Sequence, residues 1–403
     1  MKSSVSHLAI FGGQPVFDKT VHVGAPNIGD RHRLHELIDD ALDRRWLTND
    51  GPYVQAFERQ LTDLLAVRNC VATCNATSGL MLVAAALGLR GEVIMPSLTF
   101  VATAHALTWQ GVTPVFCDVD PVTWTLDPRK AEDLITSKTT ALLGVHLWGT
   151  ACDLTGLQRL ASRHDLKLVY DAAHALGTSY AGRPLGSFGD AEVFSFHATK
   201  ICNTFEGGAI ATDDDDLAAR VALARNFGFV DVDRVVSLGI NAKMSEVNAA
   251  MGLVSLESLD QFVEANRRNW QRYREGLQSV LGLTLYEPPM RDRSWTHQYV
   301  VAEVHEEAGL SRDELGQILA AENVGVRRYF YPGCHRMEPY WTECPDVALR
   351  LPVTEAILGR TLVLPTGTAT TVETVDRICE FIRFAIRNSN QIRIRLRSPD
   401  QRG

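Results

Sequence analysis

The sequence has no CxxC pair and no Cys/His cluster at zinc-ligand spacing. Its eight cysteines, Cys70, Cys74, Cys117, Cys152, Cys202, Cys334, Cys344 and Cys379, are scattered, mostly in apolar stretches such as the VFC at 115–117. That scatter excludes a disulfide framework and a structural zinc site, and predicts buried, reduced thiols. No metal is expected. No apolar run reaches the ~20 residues needed to span a bilayer. The start, MKSSVSHLAIFGG, lacks the apolar core and cleavage site of a secretion signal, so the expected setting is the cytoplasm. A basic excess is missing too. With 40 Lys and Arg against 48 Asp and Glu the net charge is −8, which argues against nucleic-acid or anionic-membrane partners. There is no internal repeat and no low-complexity segment. No GxGxxG follows a strand, which weakens a dinucleotide-binding reading.

What is present is an ordinary globular composition, 45% hydrophobic and 22% charged. At 403 residues the chain exceeds what one core usually serves, so two domains are expected. From about residue 69 buried strands alternate with helical stretches: VRNCVAT, then a long apolar helix; GEVIMPS, then TFVATAHALTWQG; VTPVFCDVD, TTALLGVHLWG and LKLVYDAAHALG, each with a helix between. This alternation predicts an α/β fold with a mostly parallel sheet sandwiched by helices. AEVFSFHATK and GGAIATDD add two short strands around a loop. The acidic run Asp213–Asp216 reads as a loop whose end caps the next helix rather than as a metal site. After 258 the periodicity changes to a long polar helix, strands such as HQYVVAEV, and helices near 311–321 and 371–387. The boundaries read as a large domain over 1–258 including an N-terminal arm, a smaller α+β domain over 259–388, and a flexible tail over 389–403.

Four features fall at the ends of predicted parallel strands, where open α/β sheets bind ligands. Asn75-Ala76-Thr77-Ser78 joins a strand to a helix and offers free amides and a positive dipole end to an anion. A plain N-cap by Thr77 or Ser78 explains the same residues. Asp171 follows the apolar LKLVY, where a carboxylate is costly without a cation. A pyridinium N–H is one such partner; a turn-forming Asp is the plainer alternative. In Phe194-Ser195-Phe196-His197-Ala198-Thr199-Lys200 a strand ends in a hydroxyl five residues before a lysine. Desolvation would make that lysine nucleophilic enough to form an imine, and Ser195 could hold a phosphate, although an exposed lysine at a strand exit is the commoner fate. Phe100, in PSLTF, either stacks on a planar ring or packs beneath the next helix.

In this order the features resemble the DegT/DnrJ/EryC1/StrS sugar aminotransferases, over about residues 20–388. The matching stretches include WLTNDGPYVQAFE, CNATSGLMLVAAAL, PSLTFVATAHAL, GVHLWG, DAAHALG, GSFGDAEVFSFHATK, EGGAI, GINAKMSEVNAAMGL and LPVTEAILGRTLVLP. The resemblance implies a pyridoxal 5'-phosphate (PLP/PMP) enzyme of fold type I. It implies Lys200 as the imine-forming lysine and proton shuttle, Asp171 on the pyridine nitrogen, Ser195 with the Ala76 and Thr77 amides on the phosphate, and Phe100 on the ring. Asn241 would reach the phosphate of the neighbouring subunit, which requires a homodimer with shared active sites. Two departures stand out: His174 replaces the usual Gln near the ring hydroxyl, and Ala76 replaces the usual Gly of the phosphate loop. Sugar-dehydrating relatives carry His in place of the lysine, so Lys200 sets that chemistry aside.

Within the family, the FHATK…NTFEGGAI and NAKMSEV wording resembles members that use L-glutamate to aminate C4 of dTDP-4-keto-6-deoxyglucose, as in desosamine biosynthesis for antibiotics. Members acting on a C3 ketone more often read FYPTKNLGALGD. A cyclitol ketone such as scyllo-inosose is an open alternative, because LAIFGGQPVF also occurs in that branch. So is a non-catalytic, PLP-binding regulator. Arg327 and Arg328 are candidates to grip a diphosphate, and His335 to bond sugar or nucleotide; a surface pair on the small domain explains the arginines nearly as well.

Overall fold

A computed structural model describes residues 2–289 and 294–397. In chain order the large unit contains α1 (Arg31–Arg44), α2 (Pro52–Leu65), β1 (Asn69–Thr73), α3 (Ala76–Ala86), β2 (Glu92–Pro96), α4 (Val101–Thr108), β3 (Thr113–Cys117), α5 (Pro128–Glu132) and β4 (Thr139–Val145). It continues with α6 (Leu154–His164), β5 (Lys167–Asp171), the small ribbon β6 (Ser179–Tyr180) and β7 (Arg183–Pro184), β8 (Ala191–Ser195), β9 (Gly208–Thr212), α7 (Asp215–Arg225) and α8 (Glu246–Glu257). Seven strands form one sheet in the order β1-β9-β8-β5-β4-β2-β3. β3, β2, β4, β5 and β8 pair in parallel, and β9 runs antiparallel to both β8 and β1.

Alternation along the strands supplies both faces of this sheet. Ile94, Leu142, Leu168, Tyr170 and Phe194 point to one side, where α2, α6 and α8 bury Phe57, Leu61, Leu157 and Leu253. Val93, Leu143, Val169, Val193 and Ile210 point to the other, against Leu80, Val83, Leu107 and Val221 of α3, α4 and α7. The mostly parallel, doubly covered sheet expected from sequence is what forms. Side-chain caps set several helix starts: Asp153 on Gly156 N, Ser245 on Asn248 N, and Asp214 on Leu217 N. Asp214 thus gives the acidic run the capping role expected of it.

After Ser258 come α9 (Leu259–Leu277), β10 (Leu283–Leu285), β11 (Val300–Val304), α10 (Arg312–Ala321), α11 (Tyr340–Glu343), α12 (Pro352–Arg360), β12 (Thr361–Leu364), α13 (Val372–Arg387) and α14 (Ser389–Arg397). The antiparallel sheet β10-β11-β12 packs with α9, α10 and α13 around a core of its own.

Two boundaries differ from the sequence reading. The N-terminal arm belongs to the small unit's core: Val5, Leu8, Phe11 and Phe17 bury with Trp270, Tyr273 and Ile318. Glu322, fully buried, receives the amides of Ala9 (2.7 Å) and Val16 (2.8 Å) and pairs with Lys2 at 3.0 Å, which fixes the arm there. The expected flexible tail is helical as far as Arg397. Ile392 and Leu396 lie four residues apart on one face, and that face packs on the same core, with Ile392 fully buried. The rest of the tail lies outside the described residues. All eight cysteines are free; six are buried as expected, Cys74 is half-buried and Cys344 is exposed. Among the described residues, no helix is long and apolar enough to cross a membrane.

Candidate active site

The C-terminal ends of β1, β5 and β8 carry the Asn75–Ser78 turn, Asp171, and Ser195 with Lys200 just beyond it. Asn75, not Thr77 or Ser78, caps α3: its Oδ1 accepts the Ser78 amide at 2.8 Å and its carbonyl accepts Gly79 N. This leaves the Ala76 and Thr77 amides without a protein partner among the described residues, at the positive end of the helix. β9 begins directly against this turn. A Cβ on Gly208 would come within 2.6 Å of Ala76 N, so the cradle exists because that strand begins with glycine. Ser195 ends β8 beside it, paired with Gly208. Gly208→Ala is expected to close the cradle and raise the dissociation constant for pyridoxal phosphate at least about tenfold, as read by fluorescence titration of the apoprotein. An unchanged affinity would place the phosphate elsewhere.

Asp171, at the end of β5, is buried. Its Oδ2 accepts Thr103 Oγ1 at 2.7 Å and its Oδ1 accepts the Ala173 amide at 3.0 Å. Thr103 in turn receives Thr99 Oγ1 at 2.9 Å, so a two-hydroxyl chain, Thr99 in the turn before α4 and Thr103 within it, aims the carboxylate. Burial raises its pKa, against the Thr103 and Ala173 bonds and the charge of Lys200. The arrangement stabilises a charged Asp171 once a cation stands before it.

Lys200 lies in the turn after β8, its amide bonded to the His197 carbonyl. Burial pulls its ammonium down to about 8, and Asp171 opposes the shift. At pH 7.5 roughly a quarter of such amines are neutral, where an ordinary lysine is almost wholly protonated. Covalent capture of pyridoxal phosphate by the apoprotein, trapped with borohydride, is therefore expected to rise from pH 7 to 9 with its midpoint near 8. A midpoint near 10 would contradict this desolvation.

His174 is buried beside Lys200. Its Nδ1 accepts the Trp148 amide at 3.1 Å, which assigns the ring proton to Nε2. Burial, and secondarily Lys200, hold the ring well below the usual histidine range, so it is a neutral N–H donor. Trp148 takes a left-handed backbone (φ 52°) to aim that amide, and Gly149 follows at φ 85°. Phe100, the residue before α4, is 57% exposed and 6.1 Å from Phe330. It does not pack beneath the helix, and its face is open to a ring.

Phe100 also lines a cleft of about 650 Å³ with Arg327, Arg328, Tyr329, Phe330 and Tyr331. Arg328 is committed to Asp313 (2.9 Å) and to the Tyr331 ring, whereas Arg327 lies over the Tyr329 ring with no carboxylate partner among the described residues. His335 does not join them. It is fully buried, with Nδ1 2.6 Å from Ser97 Oγ and Nε2 2.6 Å from Glu355 Oε1, so both ring nitrogens are used inside the protein. Asn241 is exposed, opposite Asn226 on the backbone, and makes no hydrogen bond to the Lys200 group. Thr103, Trp148 and Tyr299 contribute to the site without having been singled out from sequence.

A lysine of depressed pKa beside a buried carboxylate, next to an anion cradle a Cβ would fill, matches the imine, pyridinium and phosphate ends of pyridoxal phosphate. Fold and site together define a pyridoxal-phosphate-dependent transferase of fold type I. The chain belongs to the DegT/DnrJ/EryC1/StrS aminotransferase family, whose model matches residues 29–383. It is similar to the dTDP-4-amino-4,6-dideoxy-D-glucose transaminase of Shigella dysenteriae, 36% identical over 78% of this chain and 86% of that one. It superposes with a TM-score of 0.92 on DesI solved in the presence of its TDP-sugar product, at 48% identity over 98% of this chain and 100% of that one. It also superposes on NtdA of Bacillus subtilis solved with bound cofactor PMP, with a TM-score of 0.79 and 28% identity over 88% of this chain and 82% of that one. The chain is a pyridoxal-phosphate-dependent sugar aminotransferase.

Proposed function

We propose that the chain transfers the amino group of L-glutamate to C4 of dTDP-4-keto-6-deoxy-D-glucose, giving dTDP-4-amino-4,6-dideoxy-D-glucose for deoxyaminosugar synthesis in the cytoplasm. The observation that carries this reading is the Lys200–Asp171 pair beside the α3 cradle, in a chain 48% identical to an enzyme solved with a TDP-sugar product.

Bound pyridoxal phosphate supplies the electron-withdrawing ring that stabilises negative charge on the carbon next to nitrogen. Lys200 Nζ, whose neutral form burial makes accessible near neutral pH, takes the proton from the α-carbon of glutamate and later delivers one to C4 of the sugar. Asp171, aimed by Thr103, would hold the ring nitrogen and be kept ionised by its positive charge. The Ala76 and Thr77 amides and Ser195 Oγ hold the phosphate. His174, a neutral Nε2–H donor, would offer its proton to the ring oxygen, and the exposed Phe100 would cover the ring face. Arg327, without a carboxylate partner among the described residues, takes the sugar diphosphate; Arg328 with Asp313 forms the wall behind it. Asn241, exposed in this chain, reaches the phosphate of a second copy, so the working unit is a homodimer.

The test offers the pyridoxal-loaded enzyme L-glutamate and then the keto sugar while the cofactor's visible absorbance is followed. Glutamate should bleach the band and dTDP-4-keto-6-deoxyglucose should restore it. Restoration by scyllo-inosose, by a 3-keto sugar or by the GDP-linked sugar, but not by this one, would replace the substrate. No response to any amino donor would leave a cofactor-binding regulator.

A further inference from the structure

One side chain of the small unit reaches Lys200 itself. Tyr299 stands immediately before β11. Its ring is buried, 4.8 Å from the His174 ring and 6.3 Å from that of Tyr329. Its hydroxyl oxygen accepts a hydrogen bond from Lys200 Nζ at 3.3 Å and another from Gln298 Nε2 at 3.4 Å. Gln298 Nε2 also lies 3.4 Å from the carbonyl of Thr199, the residue before the lysine. Two donors thus converge on one phenolic oxygen, and the strand bearing it is tied to the loop bearing Lys200.

We infer that Tyr299 is the resting point of the Lys200 amine whenever that amine is free, and is therefore a positioning residue for amino transfer. A lysine that shuttles protons must leave the cofactor, wait, act as a base and return, all without swinging away. A carboxylate at the waiting point would hold it as an ammonium and spoil the base; here the amine's hydrogen bond goes to Tyr299, and Asp171 acts on it through charge, outweighed by burial. A neutral hydroxyl accepts one N–H and leaves the nitrogen lone pair available for a proton. Burial keeps the Tyr299 hydroxyl protonated, well above the usual tyrosine range, so it does not become such an anion itself. The inference rests on the amino-transfer reading only in requiring that Lys200 be released and recaptured; it does not depend on the sugar.

Tyr299→Phe removes the oxygen and keeps the ring, and a thermal melt close to that of the parent establishes that the fold is intact. Two measurements then decide. In the apoprotein, acetylation of Lys200 by acetic anhydride is followed against pH by peptide mass spectrometry. The variant's midpoint should move below the parent's, because the ammonium form loses its acceptor. In the loaded enzyme, the single-turnover rate constant with L-glutamate should fall about tenfold or more, with little change in the glutamate concentration giving half the maximal rate. An unchanged acetylation profile overturns the inference, as does a shifted profile with a turnover rate within twofold of the parent. If glutamate reacts with neither protein, the donor assignment fails while the acetylation profile still decides the role of Tyr299.

Discussion

Lys200→Ala is expected to lower the rate of amino transfer by at least about 10³-fold, since it removes the proton shuttle and the covalent handle together. The size of the effect follows from the surroundings. Asp171 is ionised and already committed to Thr103 and Ala173, and His174 is a neutral donor whose other nitrogen is occupied by Trp148. The remaining neighbour, Tyr299, is a hydroxyl kept protonated by burial. Asp171 is occupied by its own hydrogen bonds and by the ring nitrogen it faces, and neither His174 nor Tyr299 offers a basic lone pair near neutral pH. Two readings on one sample check this. Borohydride reduction followed by mass spectrometry should find no cofactor mass on the variant, while fluorescence should still detect non-covalent binding at the α3 cradle. Residual transfer within tenfold of the parent would mean that another group moves the proton.

Asp171→Asn should cost on the order of 10²–10³-fold in turnover while leaving most of the cofactor affinity in place, because phosphate contacts and ring packing are untouched. The amide has nearly the same shape: its oxygen can still accept the Ala173 amide, and its NH2 can donate to a Thr103 hydroxyl turned to accept, so the fold is preserved. What is lost is the charge opposite the ring nitrogen. In the absence of a cation, burial pushes this carboxyl above the usual aspartate range. A protonated ring nitrogen and an ionised Asp171 therefore stabilise each other. Stopped-flow measurement of the glutamate half-reaction, with cofactor occupancy determined separately, distinguishes lost turnover from lost binding. A variant that turns over normally at full occupancy would remove Asp171 from its proposed role.

Much of this was legible in the chain. Each parallel strand is a short apolar run followed by small or turn-forming residues, and the ligand-binding ends are where such runs stop. That is why Asp171, Ser195 and the Asn75–Ser78 turn could be placed in advance. The two readings offered for Phe100 needed coordinates, because only packing decides whether an aromatic after a strand faces a core or a cleft. His335 failed as a candidate for a reason that sequence cannot carry. Its partners, Ser97 and Glu355, come from opposite sides in the chain, and together they consume both ring nitrogens. Tyr299 was hidden for the converse reason: within HQYVVAEV it reads as one more strand residue, and its partner lies 99 positions away. The arm and the tail were misread because their apolar residues are sparse. Three or four such side chains suffice when a preformed core is waiting for them.

The one reversed strand of the main sheet has a consequence for how the protein is made. β1 is an edge strand whose sole neighbour in the sheet is β9, so Asn69 finds its partner only in Thr212. The turn bearing Ala76 and Thr77 is consequently not held in place until a segment more than a hundred residues downstream has emerged and slotted between β1 and β8. Contacts so distant in sequence are slow to form. The phosphate end of the site should accordingly be among the last parts to mature, which makes cofactor uptake during refolding a marker for completion of the sheet rather than for its beginning.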